Sequence, residues 1–412
     1  MSEAWRQFCT QLLSDLVALP SVNPAERSDY DTAVYGEARV VDYIETFFCG
    51  RDYPVAFHRT PVLPGRENLI VDIGLSKGRR TVLLETHADT VEGAGMDFPP
   101  FSPFVSNGRL YGRGSVDAKG QLTAMIAGLE MALAEAGEDL PVHVRLALVV
   151  DEEHRHRGVD RLVDRGLQAD IAIVGEPTEL QLCTALKGSI RFNVVTHGVA
   201  AHSSVPHQGA NAVYLMAKVL RIFEERIVPS LEAFRHPLCG TSTACVATIR
   251  GGRQVNIVPD RCEIGVDRRL NPGEDWSRAY DAIRQEILYG LSADEGERVV
   301  FEDPYLIDMA LETDPSADSV AAFANVLKMH RLRERAVGLP FGCDAAKIAP
   351  LGIPTIVFGP GSIADAHSRN ESVAIDDVVL AAAVYRDFIL SGIEQPKIDR
   401  KPGPDSDVGS DR

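Results

Sequence analysis

The chain has 412 residues, with 42 Lys and Arg against 59 Asp and Glu, and a formal net charge of −17. Hydrophobic residues at 45% and charged residues at 25% are ordinary for a soluble globular protein, and the length makes two or three domains. The acidic balance argues against nonspecific nucleic-acid binding and gives no support for docking on an anionic membrane.

In chain order, MSEAWRQFCTQLLSDLVALP reads as an amphipathic helix. It lacks the basic start and unbroken apolar stretch of a signal peptide. A break at Pro20 to Pro24 precedes a second amphipathic helix over 33–48. NLIVDIG (68–74) and TVLLETHAD (81–89) are strands, Gln121 to Ala136 is a helix, and VHVRLALVVDEE (142–153) is a strand. A helix begins near Gly158, and IAIVGEP (171–177) is again a strand. This alternation predicts an α/β layer with a mostly parallel sheet.

The middle of the chain changes style. SIRFNVVTHG (189–198) alternates like a half-exposed antiparallel strand. A helix over 211–223, strands ACVATIRGG (244–252) and CEIGVDRRL (262–270), and a helix over 275–289 follow. That order suits a small two-layer α+β domain inserted near 186–298. The α/β style resumes with PTIVFGPG (354–361) and a helix over 375–391, and residues 398–412 read as a disordered tail. The seven cysteines are scattered, form no C-x-x-C pair and fit a reducing cytoplasm. No apolar run reaches membrane-spanning length.

Several strand ends carry ionisable groups. In THADT, His87 and Asp89 share one face of the sheet by alternation, which suits a metal ligand and its supporting carboxylate or a plain hydrogen-bonded pair. In GRGSVDAKG, the glycine spacing fits neither a P-loop nor a dinucleotide fingerprint. Asp117 is either a helix N-cap or a carboxylate able to bridge two cations. VVDEEH crowds Asp151, Glu152 and Glu153 at a strand end, where like charges call for a cation. Glu152 and Glu153 can share a site only where the strand breaks. His154 and His156 do not match zincin spacing and read as exposed residues at a helix entry. Glu176 in IVGEPT and His367 in FGPGSIADAHSRNES complete the set. Together His87, Asp117, Glu153, Glu176 and His367 supply two imidazoles and three carboxylates. That is enough for two metals sharing one carboxylate, with Glu152 free as a general base. Mixed N/O donors favour Zn²⁺, with Co²⁺ or Mn²⁺ as alternatives.

The ordered motifs THADT, GRLYGRGSVDAKG, DEE, VGEPT, GVAAHSS, NIVP, DRR, FGPG and AHSRNE resemble the M20 metallopeptidase family of deacetylases, desuccinylases, aminoacylases and carboxypeptidases. The resemblance implies a zinc-peptidase-like fold with a mixed, mostly parallel sheet flanked by helices. The catalytic domain would be residues 1–185 and 299–397. Residues 186–298 would be an inserted, ferredoxin-like lid and dimerisation domain. His87, Glu176 and bridging Asp117 would hold one Zn²⁺, and Glu153, His367 and Asp117 the other. Glu152 would be the acid/base, Asp89 would orient His87, and a cis peptide would follow Asp117. His202 would be delivered to the oxyanion, often from the partner of a homodimer. Asn256 and Arg269 would bind a substrate carboxylate, with adjacent Arg268 left as an alternative, and Gly361 would let backbone approach substrate. Cys343, in FGCDA, stands where small residues are frequent and reads as packing. The implied reaction is amide hydrolysis of an N-acyl amino acid, acetylornithine deacetylase-like. Desuccinylation or short-peptide cleavage comes next, and a non-catalytic dimeric binding protein is the remote alternative.

Overall fold

A computed structural model describes residues 2–74 and 78–393. The tail expected at 398–412 lies outside them. Besides two small sheets of three and two strands, the described residues build two large ones. The larger has nine strands and is parallel at its centre, where His143–Val149, Thr81–His87, Ile171–Val174 and Thr355–Val357 lie side by side. The hairpin Val55–Leu63 and Arg66–Ile73 adds an antiparallel edge to His143–Val149. Cys183–Leu186, with Leu311–Glu312 and Val337–Leu339, closes the other side. Central strands buried on both faces read as continuous apolar runs, as the sequence does here.

Alternation along those strands feeds two cores. Val82 and Leu84 pack with the long helices Glu3–Val17, Lys119–Ala136, Asp318–Met329 and Ile375–Leu390. Leu83 points the other way, into a smaller cluster with Val159, Leu162 and Ile348. Helix Lys119–Ala136 has an apolar face nearly all round, which suits its burial between the sheet and Ile375–Leu390. At Gly128 a Cβ would fall 2.6 Å from Ala382 O, so the two backbones meet there.

The second sheet is antiparallel, in the order Thr243–Gly251, Arg261–Leu270, Gly188–His197, Val299–Phe301, with Leu306–Asp308 also paired to Gly188–His197. Helices Ala212–Ile222 and Trp276–Tyr289 cover one face through Ile190, Phe192, Val194, Ile264 and Val266. The expected boundary at 298 is therefore too early: the chain stays in this sheet until Asp308. The reason is local, since two short strands extend an existing antiparallel edge before the chain returns. The crossings between the sheets, near Lys187–Gly188 and Met309–Ala310, lie against each other. A Cβ on Gly188 would sit 2.4 Å from Asp308 O.

Other boundaries differ from expectation. The second helix begins at Ala38, not residue 33, because Gly36 turns at φ +84° and buried Glu37 is engaged with Arg66. Strand Val55–Leu63 has no sequence counterpart in the reading above. The strand expected to run to residue 153 ends at Val149. Asp151 then takes φ 69°, and a one-turn helix, Glu152–Arg155, follows.

Candidate metal centre

His87, Glu152, Glu153, Glu176 and His367 all follow the carboxyl ends of the parallel strands, where α/β sheets place ligands. Asp117 arrives from a loop before helix Lys119–Ala136, across a cis Asp117–Ala118 peptide. Glu371 fixes that loop: its Oε1 accepts from the backbone N–H groups of Val116 (3.1 Å) and Asp117 (3.3 Å), and its other oxygen pairs with Arg113.

The donor atoms form two sets that share one residue. His87, Asp117 and Glu176 offer ligand atoms within 4.8 Å of one another, and so do Asp117, Glu153 and His367. Asp117 faces one histidine with each oxygen, 2.9 Å to His87 Nε2 and 3.2 Å to His367 Nε2. Glu153 Oε1 is 3.0 Å from His367 Nε2, and Glu176 Oε1 is 3.9 Å from His87 Nε2.

Electrostatics separate these groups. Burial opposes ionisation of Asp117, but hydrogen bonds from His367 and His87 outweigh it and hold the carboxyl well below its usual range. Burial and the neighbouring Asp117 push Glu176 well up and raise Glu153. Burial pushes Glu152 up to about 8. Three carboxylates and two imidazoles converge here, with no Lys or Arg among them. That donor set fits divalent cations, which would relieve the repulsion. Glu152 belongs to neither set and lines the same cleft, as a general base must.

The break after Val149 is what brings Glu152 and Glu153 together. Asp89 holds it: its carboxylate accepts from Glu152 N (3.2 Å) and Glu153 N (3.0 Å), and from Asn23 Nδ2 (2.6 Å). Asp89 also orients His87, whose Nδ1 lies 3.0 Å from the Asp89 backbone oxygen and 3.6 Å from its carboxylate. Asp89 thus holds one residue of each set, His87 and Glu153, together with the backbone of Glu152. D89N should lower metal affinity by roughly 10- to 100-fold, the usual cost of losing a supporting partner. Competition with a chromogenic chelator measures this, and unchanged affinity would assign Asp89 to folding alone.

The cleft over these groups encloses about 390 Å³, and its far wall comes from the second sheet: Ser189, Arg191 and Arg269. Strand parity explains the choice between the arginines. Ile264 and Val266 face the helices, and so does Arg268, which is buried and paired with Glu274. Asp267 and Arg269 take the other face. Asp267 joins Arg269 Nε (2.7 Å) to Arg191 Nε (2.8 Å). That parity was present in CEIGVDRRL and could have resolved the ambiguity.

His202 and Asn256 are not brought into this cleft. Both are exposed, on adjacent segments where Ser203 N donates to Asn256 O at 3.0 Å, and neither lines it. Gly361 turns at φ +81° directly behind Val116, where a Cβ would strike the Val116 side chain at 2.3 Å. Cys343 is buried with Val174 and Leu186, as expected of a packing residue. The reading of His156 as exposed needs correction. Its ring is largely buried, 2.7 Å from Asp344 Oδ1 and 3.5 Å from Glu152 Oε1. No short-range signal announced this, since Asp344 is 188 residues away. His154 stays at the rim, 2.9 Å from Glu26.

Residues 83–391 match the model of Peptidase family M20/M25/M40. The chain belongs to this family. Acetylornithine deacetylase of Myxococcus xanthus is 32% identical over 321 residues, 76% of this chain and 80% of its own length. A tripeptidase from Staphylococcus aureus superposes with a TM-score of 0.75 at 18% identity, covering 95% of this chain and 99% of its own. A dinuclear metal-binding M20 peptidase of Bacillus subtilis gives 0.68 at 14% identity, covering 95% and 99%. The M20 membership makes the chain a hydrolase, with a mixed, mostly parallel sheet as expected. Among the described residues of this M20 chain, no helix is long and apolar enough to cross a membrane.

Proposed function

We propose that this M20 chain hydrolyses the amide bond of an N-acyl amino acid, as a cytoplasmic, homodimeric, acetylornithine deacetylase-like enzyme. The observation that carries the reading is the cleft itself: two ligand sets joined at Asp117 on one wall, Glu152 beside them, and Arg269 on the opposite wall. His87, Asp117 and Glu176 would hold one Zn²⁺, and Asp117, Glu153 and His367 the other, with Co²⁺ or Mn²⁺ as substitutes. Such ions polarise a carbonyl and make water acidic enough to lose a proton near neutrality.

The chain's own residues do the rest. Glu152 takes the proton of the attacking water and returns it to the leaving amine. Its raised pKa, from burial, lets it hold that proton between the two transfers. Arg269 offers its guanidinium fork to the substrate carboxylate, which fixes the amide over Glu152. R269Q should raise KM by roughly 10- to 100-fold, the loss of a charge-assisted pair, with a smaller change in kcat. Steady-state kinetics checks this, and an unchanged KM would remove Arg269 from substrate binding.

In this reading residues 188–308 act as the lid. His202 would donate an N–H to the oxyanion, and Asn256 would assist at the carboxylate, both from the partner subunit. Their adjacency on an exposed surface away from their own cleft supports that arrangement. Mixing inactive E152Q and H202A proteins should restore about a quarter of the wild-type rate, since half the dimers are hybrids with one complete site. No recovery, with subunit exchange confirmed, would count against action in trans.

A second reading, desuccinylase or carboxypeptidase, draws on Arg191. Tied to Arg269 through Asp267, it gives the cleft another guanidinium for a second carboxylate. Assaying N-acetyl, N-succinyl and dipeptide substrates with added Zn²⁺ or Co²⁺ separates the readings. Turnover of none of them would overturn both.

A further inference from the structure

We propose that His156, anchored by Asp344, is a positioning residue that holds the Glu152 carboxylate in its working orientation. The inference rests on Glu152 being the general base. The pair flanks the one-turn helix Glu152–Arg155, so the two side chains stand at i and i+4, on the same side of that turn. His156 closes the turn at φ 55°, a left-handed conformation that a residue bearing a Cβ adopts only at a cost. The ring points inward, at Asp344.

Asp344 precedes the short helix Ala345–Ile348 and is 1% exposed. It comes from a part of the chain remote in sequence, so the contact ties the base's own turn to the segment leading into that helix, which packs in the same cluster as Val159 and Leu162. Its Oδ1 takes the imidazole N–H at 2.7 Å. The same ring edge lies 3.5 Å from Glu152 Oε1. The opposite ring nitrogen is 3.9 Å from Asp308 Oδ2, and Lys347 Nζ is 3.5 Å from Asp308 Oδ1. Burial opposes a charge on the ring, but the hydrogen bond to Asp344 and the surrounding carboxylates outweigh it and raise His156 to about 10. The ring is therefore held between Asp344 and Glu152, at one side of the Glu152 carboxylate.

A carboxylate that must meet a water at one moment and a leaving amine at another works best from one fixed rotamer. His156 supplies the restraint from the side away from the ligand sets. It touches none of His87, Asp117, Glu153, Glu176 or His367 through any hydrogen bond or ion pair among the described residues. Glu152, His156 and Asp344 also offer three ligand-capable atoms close together. The positioning role predicts that no metal sits there, because the ring nitrogen facing Glu152 is already engaged by Asp344.

The test is a kinetic cycle with metal counting on the purified full chain. H156F should lower kcat by roughly 30-fold with KM within about 2-fold. H156N, which keeps an N–H near the position of Nδ1, should recover to within roughly 5-fold of wild type. In an E152D background, where the shortened carboxylate is beyond reach of the ring, H156F should cost less than about 2-fold more. Metal content by plasma emission should stay at the wild-type value in H156F and H156N. Equal losses in both backgrounds would overturn the proposal, as would an unchanged kcat in well-folded H156F. A metal count that falls by one with the substitution would make the trio a metal site. If E152Q keeps full activity, the underlying assignment of the base fails instead, and that result is distinct from each of these.

Discussion

E152Q should bind metal as the wild type does, keep its KM within a few-fold, and lose roughly 10³- to 10⁴-fold in kcat, the upper range for removing a positioned acid/base. The geometry makes the result specific. Glu152 belongs to neither ligand set, so the isosteric amide leaves both sets whole. The backbone N–H of residue 152 donates to Asp89, and that bond does not depend on the side chain. Glutamine is also neutral, so it adds no charge to a site where burial already pushes Glu152 up to about 8. Rapid-quench or steady-state assay beside plasma-emission metal analysis decides the matter. Full activity would move the acid/base role elsewhere in the cleft.

D117N should act on binding before chemistry. Asp117 alone faces both histidines, one oxygen to each. An amide keeps one oxygen and turns an NH₂ toward the other histidine, so it can serve a single cation at most. Removing the shared negative charge also strips each set of a ligand that stays ionised, since the two histidines hold Asp117 below its usual range. The expected result is one metal or fewer per chain and no detectable turnover. The stabilisation by saturating Zn²⁺, about 4 kcal/mol at a thousandfold excess over Kd, should largely disappear. Calorimetric Tm with and without Zn²⁺ reads it directly. A D117N protein with two tightly held ions would remove Asp117 from the shared position.

Much of the site was legible because its residues sit where periodic apolar strands stop. THADT, DEE and GEP each put a carboxylate or imidazole within three residues of an apolar run, and a parallel sheet aligns those ends without further information. Asp117 and His367 lie on loops, and only the full motif set resembling the M20 family connected them. What stayed hidden depends on contacts across long separations. His156 looked like surface because its partner is Asp344. Asn23 gave no signal, though it secures Asp89 from a Pro-flanked loop. The hairpin strand Val55–Leu63 was missed because Pro61 and the adjacent exposed pair His58 and Arg59 blur its alternation, as an edge strand tolerates. The second sheet's extent was underestimated because Val299–Phe301 and Leu306–Asp308 are three-residue strands, too short to carry a period.

The two walls of the cleft belong to different sheets, and the chain passes between those sheets at the paired crossings Lys187–Gly188 and Met309–Ala310. Those crossings act as a ruler. The span from Asp117 to Arg269, and so the length of molecule that can touch both, is set by a narrow double strut in which Gly188 leaves no room for a side chain. In the proposed reading, the size of molecule that spans both walls is thereby gauged by covalent spacing outside the cleft. Changes at the strut would retune which molecules fit without altering a single ligand or the base.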